Sequence, residues 1–213
     1  MNRDISAIRR DYQFKDLLEE ESNLDPLAFF DVWLKEAIEA NLNDPTAMVF
    51  SSVDPDGAPH SRVVLLKQRD DEGFSFFTNY DSSKGQNLAS NNKACMNFFW
   101  PELSRQVRIE GEIMKVSRET SQAYFATRPQ GSQLAATASP QSQTIERDEL
   151  HKRFNELEQK AQDKAVPCPD NWGGYVLNAN FIEFWQGRPS RLHDRLCYQF
   201  DEKGQWLRSR KAP

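Results

Sequence analysis

The sequence lacks the features that would assign it to a membrane, a secretory or a common nucleotide-binding class. No apolar run approaches the roughly 20 residues that a transmembrane helix needs. The N-terminus, MNRDISAIRRDYQF, has no apolar core of a secretory signal. Neither common glycine-rich phosphate loop, G-x-G-x-x-G or G-x-x-x-x-G-K-[ST], is present. Together with a mean hydropathy of -0.76, these absences predict a cytoplasmic protein that does not span a membrane.

Cysteine and histidine are also scarce, which argues against disulfides and metal sites. No C-x-x-C pair occurs, and an odd number of widely spaced cysteines is typical of reduced thiols in a cytosolic protein. The histidines match no metal-ligand spacing. A formal net charge of -5 argues against a general nucleic-acid binder, which needs a basic surface. That charge still leaves room for a local basic pocket.

The order of apolar and turn residues predicts a mainly β (α+β) fold. We expect an arm over residues 1–24 that is mobile apart from one short helical piece, followed by a single domain over 25–213. Asp25 and Pro26 are typical of a helix start, and Ser82 and Ser117 can cap two further helices. A charged helix is predicted over 145–165, and residues 130–143 show no clear period. Strands are predicted at 46–53, 58–67, 74–79, 94–100, 105–116, 175–186, 191–200 and 206–210.

Six or more antiparallel strands interrupted by short helices favour a closed or split β-barrel with flanking helices. No internal repeat or low-complexity linker divides the chain. In the predicted helix over 145–165, an apolar stripe formed by Leu150, Phe154, Leu157 and Ala161 is interpreted as packing.

The segment from Arg191 to Arg195 is the most informative one for function. If it is extended, Arg191, His193 and Arg195 share one face. Leu192, Asp194 and Leu196 then share the other face. Two guanidinium groups beside an imidazole attract anions and can handle a proton, and Trp185 could add a flat apolar wall. An equally good interpretation of this segment alone is a barrel strand with charges that face water.

The segment RVVLLK at 62–67 is an apolar strand with a cation at each end. Its apolar run predicts burial on both faces, so Arg62 and Lys67 would emerge at the strand ends and meet anions. The alternative is surface charge at the ends of a core strand.

Two further segments carry polar groups suited to ligands. In RQVRIEG (105–111), Gln106, Arg108 and Glu110 share a face, and the Gln106 amide can donate and accept at a flavin or pyrimidine edge. A polar solvent-facing surface is the alternative. Tyr124 and Arg128 lie four residues apart on one helix face, and with Ser132 they are phosphate donors.

No Ser-His-Asp arrangement and no recognisable pair of catalytic acids is present. The conspicuous polar groups are donors for phosphates and heteroaromatic edges. Ser142 could belong to this set, or it could simply cap the next helix. Such a set of residues indicates a bound cofactor that performs the chemistry while the protein orients it.

A series of motifs then resembles the pyridoxine/pyridoxamine 5′-phosphate oxidase family over nearly the whole chain. They are RRDY (9–12), RVVLLK (62–67), FFTNY (76–80), SSKG (82–85), RQVRIEG (105–111), YFATRP (124–129), SPQS (139–142), NWGGY (171–175) and EFWQGxxxRLHDR (183–195). RQVRIEG and RLHDR together are specific, whereas either alone would only be suggestive.

The resemblance implies a split-barrel homodimer with FMN in the cleft between the subunits. It implies oxidation of pyridoxine or pyridoxamine 5′-phosphate to pyridoxal 5′-phosphate, with O₂ as electron acceptor and H₂O₂ as product. The implied FMN-binding residues are Arg62, Val63, Val64, Leu65, Leu66, Lys67, Phe77, Thr78, Lys84, Gln106, Gln141, Ser142, Trp185 and Arg195. Among them, Arg62 and Lys84 would bind the FMN phosphate, while Gln106 and Arg195 would address the ring.

The same resemblance implies a substrate site. Arg191 and His193 would be the catalytic residues over the substrate ring, and the segment Arg9, Arg10, Asp11 and Tyr12 would fold over the bound ligand. The substrate phosphate would meet Lys67, Tyr124, Arg128 and Ser132, and Leu192 would lie beside the substrate.

Several positions depart from the family pattern. Ser83 stands where many members have arginine, and one FMN-phosphate contact would then be missing. Asn92, the run at 135–138 and Lys211 also differ, in ways that look structural. A split-barrel flavin- or pyridoxal-phosphate-binding protein without oxidase turnover is therefore the alternative. A nicotinamide-dependent flavin reductase is disfavoured, because the donors Tyr124, Arg128 and Ser132 suit a phosphate ester.

Overall fold

The computed structural model describes residues 16–161 and 164–213 of the chain. Five α-helices lie in these ranges: α1 (Pro26–Glu39), α2 (Ser83–Ser90), α3 (Arg118–Thr127), α4 (Gln130–Ala138) and α5 (Arg147–Ala161). The three predicted caps are confirmed, since Asp25, Ser82 and Ser117 each accept a backbone N–H of the first turn through the side chain. Each cap satisfies a donor that has no partner inside its helix.

The strands form one nine-stranded sheet, which confirms the mainly β class. They are β1 (Ala47–Val53), β2 (Pro59–Leu65), β3 (Gln68–Asp70), β4 (Gly73–Asn79), β5 (Lys93–Trp100), β6 (Arg105–Lys115), β7 (Trp172–Gln186), β8 (Asp194–Phe200) and β9 (Trp206–Arg210). The order is β2-β1-β5-β6-β7-β4-β3, with β8 between β7 and β9. The β3–β4, β4–β7, β7–β8 and β8–β9 pairs are antiparallel.

The chain divides into two compact units. Unit 1 comprises Met1–Val49, of which residues 16 onward are described, with Met96–Glu110 and Asn180–Pro213. Unit 2 comprises Phe50–Cys95 and Gly111–Ala179. The expectation of a single domain over 25–213 stays a prediction.

The core of unit 1 is aromatic. Phe29 and Trp33 of α1 pack on Phe184 of β7, with ring centroids 4.5 and 5.2 Å apart. Phe30 packs edge-on against Phe98 at 5.0 Å. Such pairs contribute about 0.5–1.5 kcal/mol each beyond the apolar area that they bury. They fix α1 against the sheet and give unit 1 a rigid frame.

Residues 17–23 of the predicted arm contact the last two strands of unit 1. Leu17 is buried, the Tyr198 hydroxyl donates to the carbonyl of Asn23, and Arg208 donates to the carbonyl of Glu19. Residues 19–21 form a single 3-10 turn, the short helical piece that the sequence predicts. The predicted ligand segment, residues 9–12, lies outside the described residues.

Unit 2 has its own aromatic core. Phe76 of β4 lies between Phe50 and Tyr175, with centroid distances of 4.8 and 5.8 Å. Phe125 of α3 packs edge-on against Trp172 at 4.9 Å. This core supports β4 and α3, the two elements that carry much of the site described below.

Three local predictions are wrong, and one helix forms where none was predicted. RVVLLK is not buried on both faces, because Val63 is 67% exposed and only Leu66 lies in the core. Helix α4 forms over residues 130–138, where no period was recognised. Ser142 does not cap α5, which begins five residues later at Arg147.

The third wrong prediction concerns the extended segment from Arg191. A 3-10 turn covers Pro189–Arg191, and β8 begins only at Asp194. Arg191 and Arg195 therefore do not share a strand face with His193. Leu192 precedes β8 and is 71% exposed, so it does not share a strand face with Asp194 and Leu196.

Candidate functional site

A cleft of about 990 Å³ opens in unit 2. Strands β2 and β4 and helices α2 to α5 contribute side chains to it. Eight predicted ligand residues outside strand β2 line it: Lys67, Phe77, Thr78, Lys84, Tyr124, Arg128, Ser132 and Gln141. Trp172, which was not predicted, lines it as well. Arg62, Val63, Val64 and Leu65 line it from β2.

Lys84 is a buried cation in the wall of this cleft. It lies in the first turn of α2, which Ser82 caps, and its ammonium group donates to the Thr78 and Ser82 hydroxyls at 3.1 and 3.3 Å. Among residues 16–161 and 164–213, no carboxylate forms an ion pair with it. Burial, with a smaller contribution from the nearby Arg62 guanidinium, lowers the pKa of Lys84 to about 8. A cation held in this way gains strongly from an added anion.

Arg62 is the second cation of the same wall. One terminal nitrogen donates to the Ser52 hydroxyl at 2.8 Å and to the carbonyls of His60 and Phe50 at 2.9 and 3.4 Å. All three acceptors are neutral, and burial lowers the pKa of Arg62. Within the described chain Arg62 has no acidic partner. Arg62 and Lys84 thus form a pair of cations suited to a phosphate.

An aromatic stack forms another wall of the cleft. The rings of Phe77 and Tyr124 are stacked at 3.9 Å, and Trp172 is nearly parallel to Tyr124 at 6.2 Å. The Arg128 guanidinium lies over Trp172, 4.8 Å from the ring centroid. Burial raises the pKa of Tyr124, so its hydroxyl keeps its proton and can donate.

Arg128 has an unmet hydrogen-bonding requirement. Its Nη1 atom is buried and has no hydrogen-bond partner in the described structure. Burial also lowers the pKa of this guanidinium. Because buried donors are nearly always satisfied, an unpartnered guanidinium nitrogen in a cleft indicates a ligand acceptor.

Gln141 ties the segment after α4 to β4. Its side-chain carbonyl accepts from the Thr78 hydroxyl at 3.2 Å and from the backbone N–H of Asn79 at 3.3 Å. Its amide nitrogen is free of described partners and belongs to the cleft. Gln141 can therefore donate to a heteroaromatic carbonyl.

A second cluster of predicted residues belongs to unit 1. The buried carboxylate of Glu183 accepts from Arg195 Nε and Nη2 at 2.9 and 3.0 Å and from Arg108 Nη2 at 2.9 Å. The two guanidinium groups hold the pKa of Glu183 below its usual value, although burial acts in the opposite direction. Arg195 also donates to the carbonyl of Ala212 at 3.0 Å. Arg195 is thus fixed in orientation by its neighbours.

His193 lies beside Trp185, with ring centroids 4.7 Å apart. Its Nδ1 accepts the backbone N–H of Arg188 at 3.0 Å, so the neutral ring carries its proton on Nε2. Burial and then the Arg191 guanidinium lower the pKa of His193, against a smaller raising effect of Asp194. His193 is therefore a neutral donor at physiological pH, and Arg191 beside it is exposed.

The structure thus distributes the predicted site over both units. The predicted phosphate donors lie in the cleft of unit 2, and the side chain of Leu66 lies in the core instead of lining it. Ser142 is exposed, with a φ of 72°, and its side chain does not line the cleft. The remaining predicted residues belong to unit 1: Gln106, Trp185, Arg191, Leu192, His193 and Arg195.

Several cleft residues were not predicted. Trp172 was quoted within NWGGY but given no role, although it stacks on the aromatic wall. Leu150 and Phe154 of the predicted packing stripe line the cleft, as do His151 and Asn155. Only their helical spacing, which places them near one face of α5, could have indicated this. No group of three or more possible metal ligands occurs in the described residues, and no helix there could span a membrane.

Comparison with known proteins gives a consistent result. A family model described as pyridoxamine 5′-phosphate oxidase matches residues 34–161, and one described as the pyridoxine 5′-phosphate oxidase C-terminal dimerisation region matches residues 172–213. A protein of Acaryochloris marina named pyridoxine/pyridoxamine 5′-phosphate oxidase is 50% identical, covering 98% of this chain and 95% of that protein. Its namesake from Pseudomonas paraeruginosa is also 50% identical, with both chains covered in full.

Two solved structures resemble the fold. PhzG from Burkholderia lata, in complex with tetrahydrophenazine-1-carboxylic acid, has a TM-score of 0.87 and 28% identity, covering 93% of this chain and 98% of that one. A pyridoxamine 5′-phosphate oxidase-related, FMN-binding protein from Nostoc punctiforme has a TM-score of 0.74 and 14% identity, covering 90% and 100%. The predicted split-barrel class is thereby confirmed.

Proposed function

The chain belongs to the pyridoxamine 5′-phosphate oxidase family, and on this premise we propose how its residues carry out the reaction. It is an FMN-dependent oxidase that converts pyridoxine 5′-phosphate and pyridoxamine 5′-phosphate to pyridoxal 5′-phosphate, with O₂ as acceptor and H₂O₂ as product. The chemistry that bound FMN would supply is hydride acceptance from the substrate carbon C4′ and electron transfer to O₂. No protein nucleophile is needed for that chemistry.

The observation that carries the proposal is a set of buried and half-buried cations with no anionic partner in the described chain. Lys84 and Arg62 donate only to hydroxyls and carbonyls, and Arg128 has a buried nitrogen with no acceptor. The reaction brings two phosphate groups, one on the cofactor and one on the substrate. We assign the FMN phosphate to Arg62 and Lys84.

We assign the substrate phosphate to the donors at the aromatic wall. Tyr124 lies on α3, Arg128 directly follows α3 and Ser132 lies on α4. Lys67 follows β2, and all four residues line the cleft. Phe77 stacks on Tyr124 and Trp172 lies nearly parallel to Tyr124, so aromatic rings form one side of this site. A wall of low polarity strengthens each charge-assisted hydrogen bond that the phosphate receives.

The residues of unit 1 act on the rings. His193 donates from Nε2, and with Arg191 it orients the substrate and stabilises developing charge. Trp185, Gln106 and Arg195 of unit 1 contact the flavin. Gln141 and Ser142 of unit 2 also contact it. Leu192 lies beside the substrate, and the segment from Arg9 to Tyr12 covers the ligand; these roles are carried over from the family motifs.

The chain forms a homodimer through its C-terminal region, the part that matches the family's dimerisation region. We place FMN where the two copies meet. The three cysteines are free, and a cytoplasmic location remains our proposal.

The test is direct. The purified protein should carry FMN, and with pyridoxine 5′-phosphate in air it should form peroxide and aldehyde in equal amounts. Bound FMN without peroxide would instead support the alternative of a binding protein that does not turn over.

A further inference from the structure

The loop from Arg188 to His193 (the Arg188–His193 loop) is held in a strained conformation. Ser190 and Arg191 are both in the left-handed region, with φ of 55° and 62°. Left-handed non-glycine residues cost about 1–3 kcal/mol each and persist only where neighbouring contacts impose them. Contacts that hold the base of this loop therefore determine where Arg191 and His193 lie.

Arg188 makes those contacts at the start of the loop. Its backbone N–H donates to Nδ1 of His193, and its Nε lies 3.6 Å from a carboxylate oxygen of Asp194. The same guanidinium also pairs with Asp16. The loop is thus closed at its base by one hydrogen bond and one ion pair.

The Asp194 carboxylate accepts two further hydrogen bonds besides its ion pair with Arg188. Its Oδ1 accepts from Arg210 at 2.6 Å, and its Oδ2 accepts the backbone N–H of Leu17 at 3.0 Å. Its side chain is only 17% exposed. A carboxylate next to His193 in sequence therefore joins the loop to β9 and to the chain segment that precedes α1.

We propose that Asp194 is a positioning residue for the reaction. Asp194, Arg188, Asp16 and Leu17 form a clasp that holds the Arg188–His193 loop in its strained shape. The proposal rests on the proposed function of Arg191 and His193. It gives Asp16 and Leu17 a part in catalysis that works through the position of the loop.

Glu19 offers a matched control for Asp194. It forms two hydrogen bonds with Arg210, each 2.7 Å long, so it shares a partner with Asp194 and docks the same N-terminal segment. It makes no described contact with the Arg188–His193 loop. Asp194→Asn and Glu19→Gln each remove one negative charge that pairs with Arg210. Only Asp194→Asn also weakens contacts within the clasp.

The experiment measures steady-state kinetics with pyridoxine 5′-phosphate and FMN affinity for both variants. Asp194→Asn should lower kcat by about ten- to a hundredfold, the effect of a misplaced catalytic group. KM should change less than twofold, because the phosphate donors of unit 2 are untouched, and FMN affinity should not change. Glu19→Gln should keep kcat within twofold of wild type.

Equal kcat values for the two variants would overturn the proposal. A lower melting temperature of Asp194→Asn with a wild-type kcat would also overturn it, because Asp194 would then contribute only to stability. Arg188→Gln opens the clasp from its other side and should reproduce the kcat loss if Asp194→Asn fails to fold. Arg191→Met serves as the reference. If it leaves kcat unchanged, the proposed role of the loop is wrong, a result distinct from failure of the clasp.

Discussion

Replacing Lys84 by methionine tests the phosphate assignment most sharply. Methionine keeps much of the buried volume and removes the charge. The loss of one charge-assisted hydrogen bond, about 1.5–3 kcal/mol, should raise the dissociation constant for FMN by about 10- to 150-fold. Affinity for riboflavin, which has no phosphate, should not change.

The pKa of Lys84 gives a second readout of the same variant. Its folded-state pKa of about 8 lies below the ordinary 10.5. Between these values the unfolded chain binds a proton that the folded chain does not, so the flavin-free protein should gain stability as pH rises from about 8 to about 10.5. The gain is at most about 3 kcal/mol, and Lys84→Met should abolish it.

The assays are fluorescence titration of flavin-free protein and denaturant unfolding at pH 7.5 and 10. FMN affinity of the wild type should fall above pH 8, since the phosphate binds the protonated ammonium. If Lys84→Met weakened riboflavin and FMN equally, Lys84 would not bind the phosphate and the assignment would be refuted.

Three further variants test packing, charge and substrate binding. Gly85→Ala should lower the unfolding free energy by about 1–3 kcal/mol, because its Cβ would lie 1.9 Å from the carbonyl oxygen of Tyr80. Gly131→Ala, with nothing within 4 Å, should not; equal losses would contradict this. Glu183→Gln should cost about 3–5 kcal/mol in denaturant unfolding, since it leaves two arginines poorly paired; a loss under about 1 kcal/mol would count against the network. Arg128→Met should raise KM for pyridoxine 5′-phosphate at least tenfold but not KM for pyridoxine; equal increases would exclude a phosphate contact.

Local signals predicted much of the fold because they act within a few residues. The serine cap of α2 and the alternation in β6 follow from hydrogen-bonding and pleat geometry alone, and both are as expected. Helix α4 was missed since its serine, glutamine and alanine residues give no clear apolar stripe. Its buried contacts, through Leu134 and Ala138, come from tertiary packing.

The site was harder to predict, for two physical reasons. Ser190 and Arg191 have positive φ values, which residue alternation does not reveal, so the sequence wrongly predicted that β8 begins at Arg191. Val63 was expected in the core and instead lines the cleft, because an apolar run does not distinguish a core face from a ligand face. That Tyr124, Arg128 and Ser132 lie together in one cleft agrees with the sequence prediction, and their role as phosphate donors stays a proposal.

Anaerobic reduction of the bound flavin is the most direct test of the proposed reaction. FMN-loaded protein, titrated with pyridoxine 5′-phosphate without oxygen, should lose its flavin absorbance with one substrate per flavin. The absorbance should return when air is admitted, with one peroxide formed. A flavin that binds but stays oxidised at saturating substrate would contradict the proposed function.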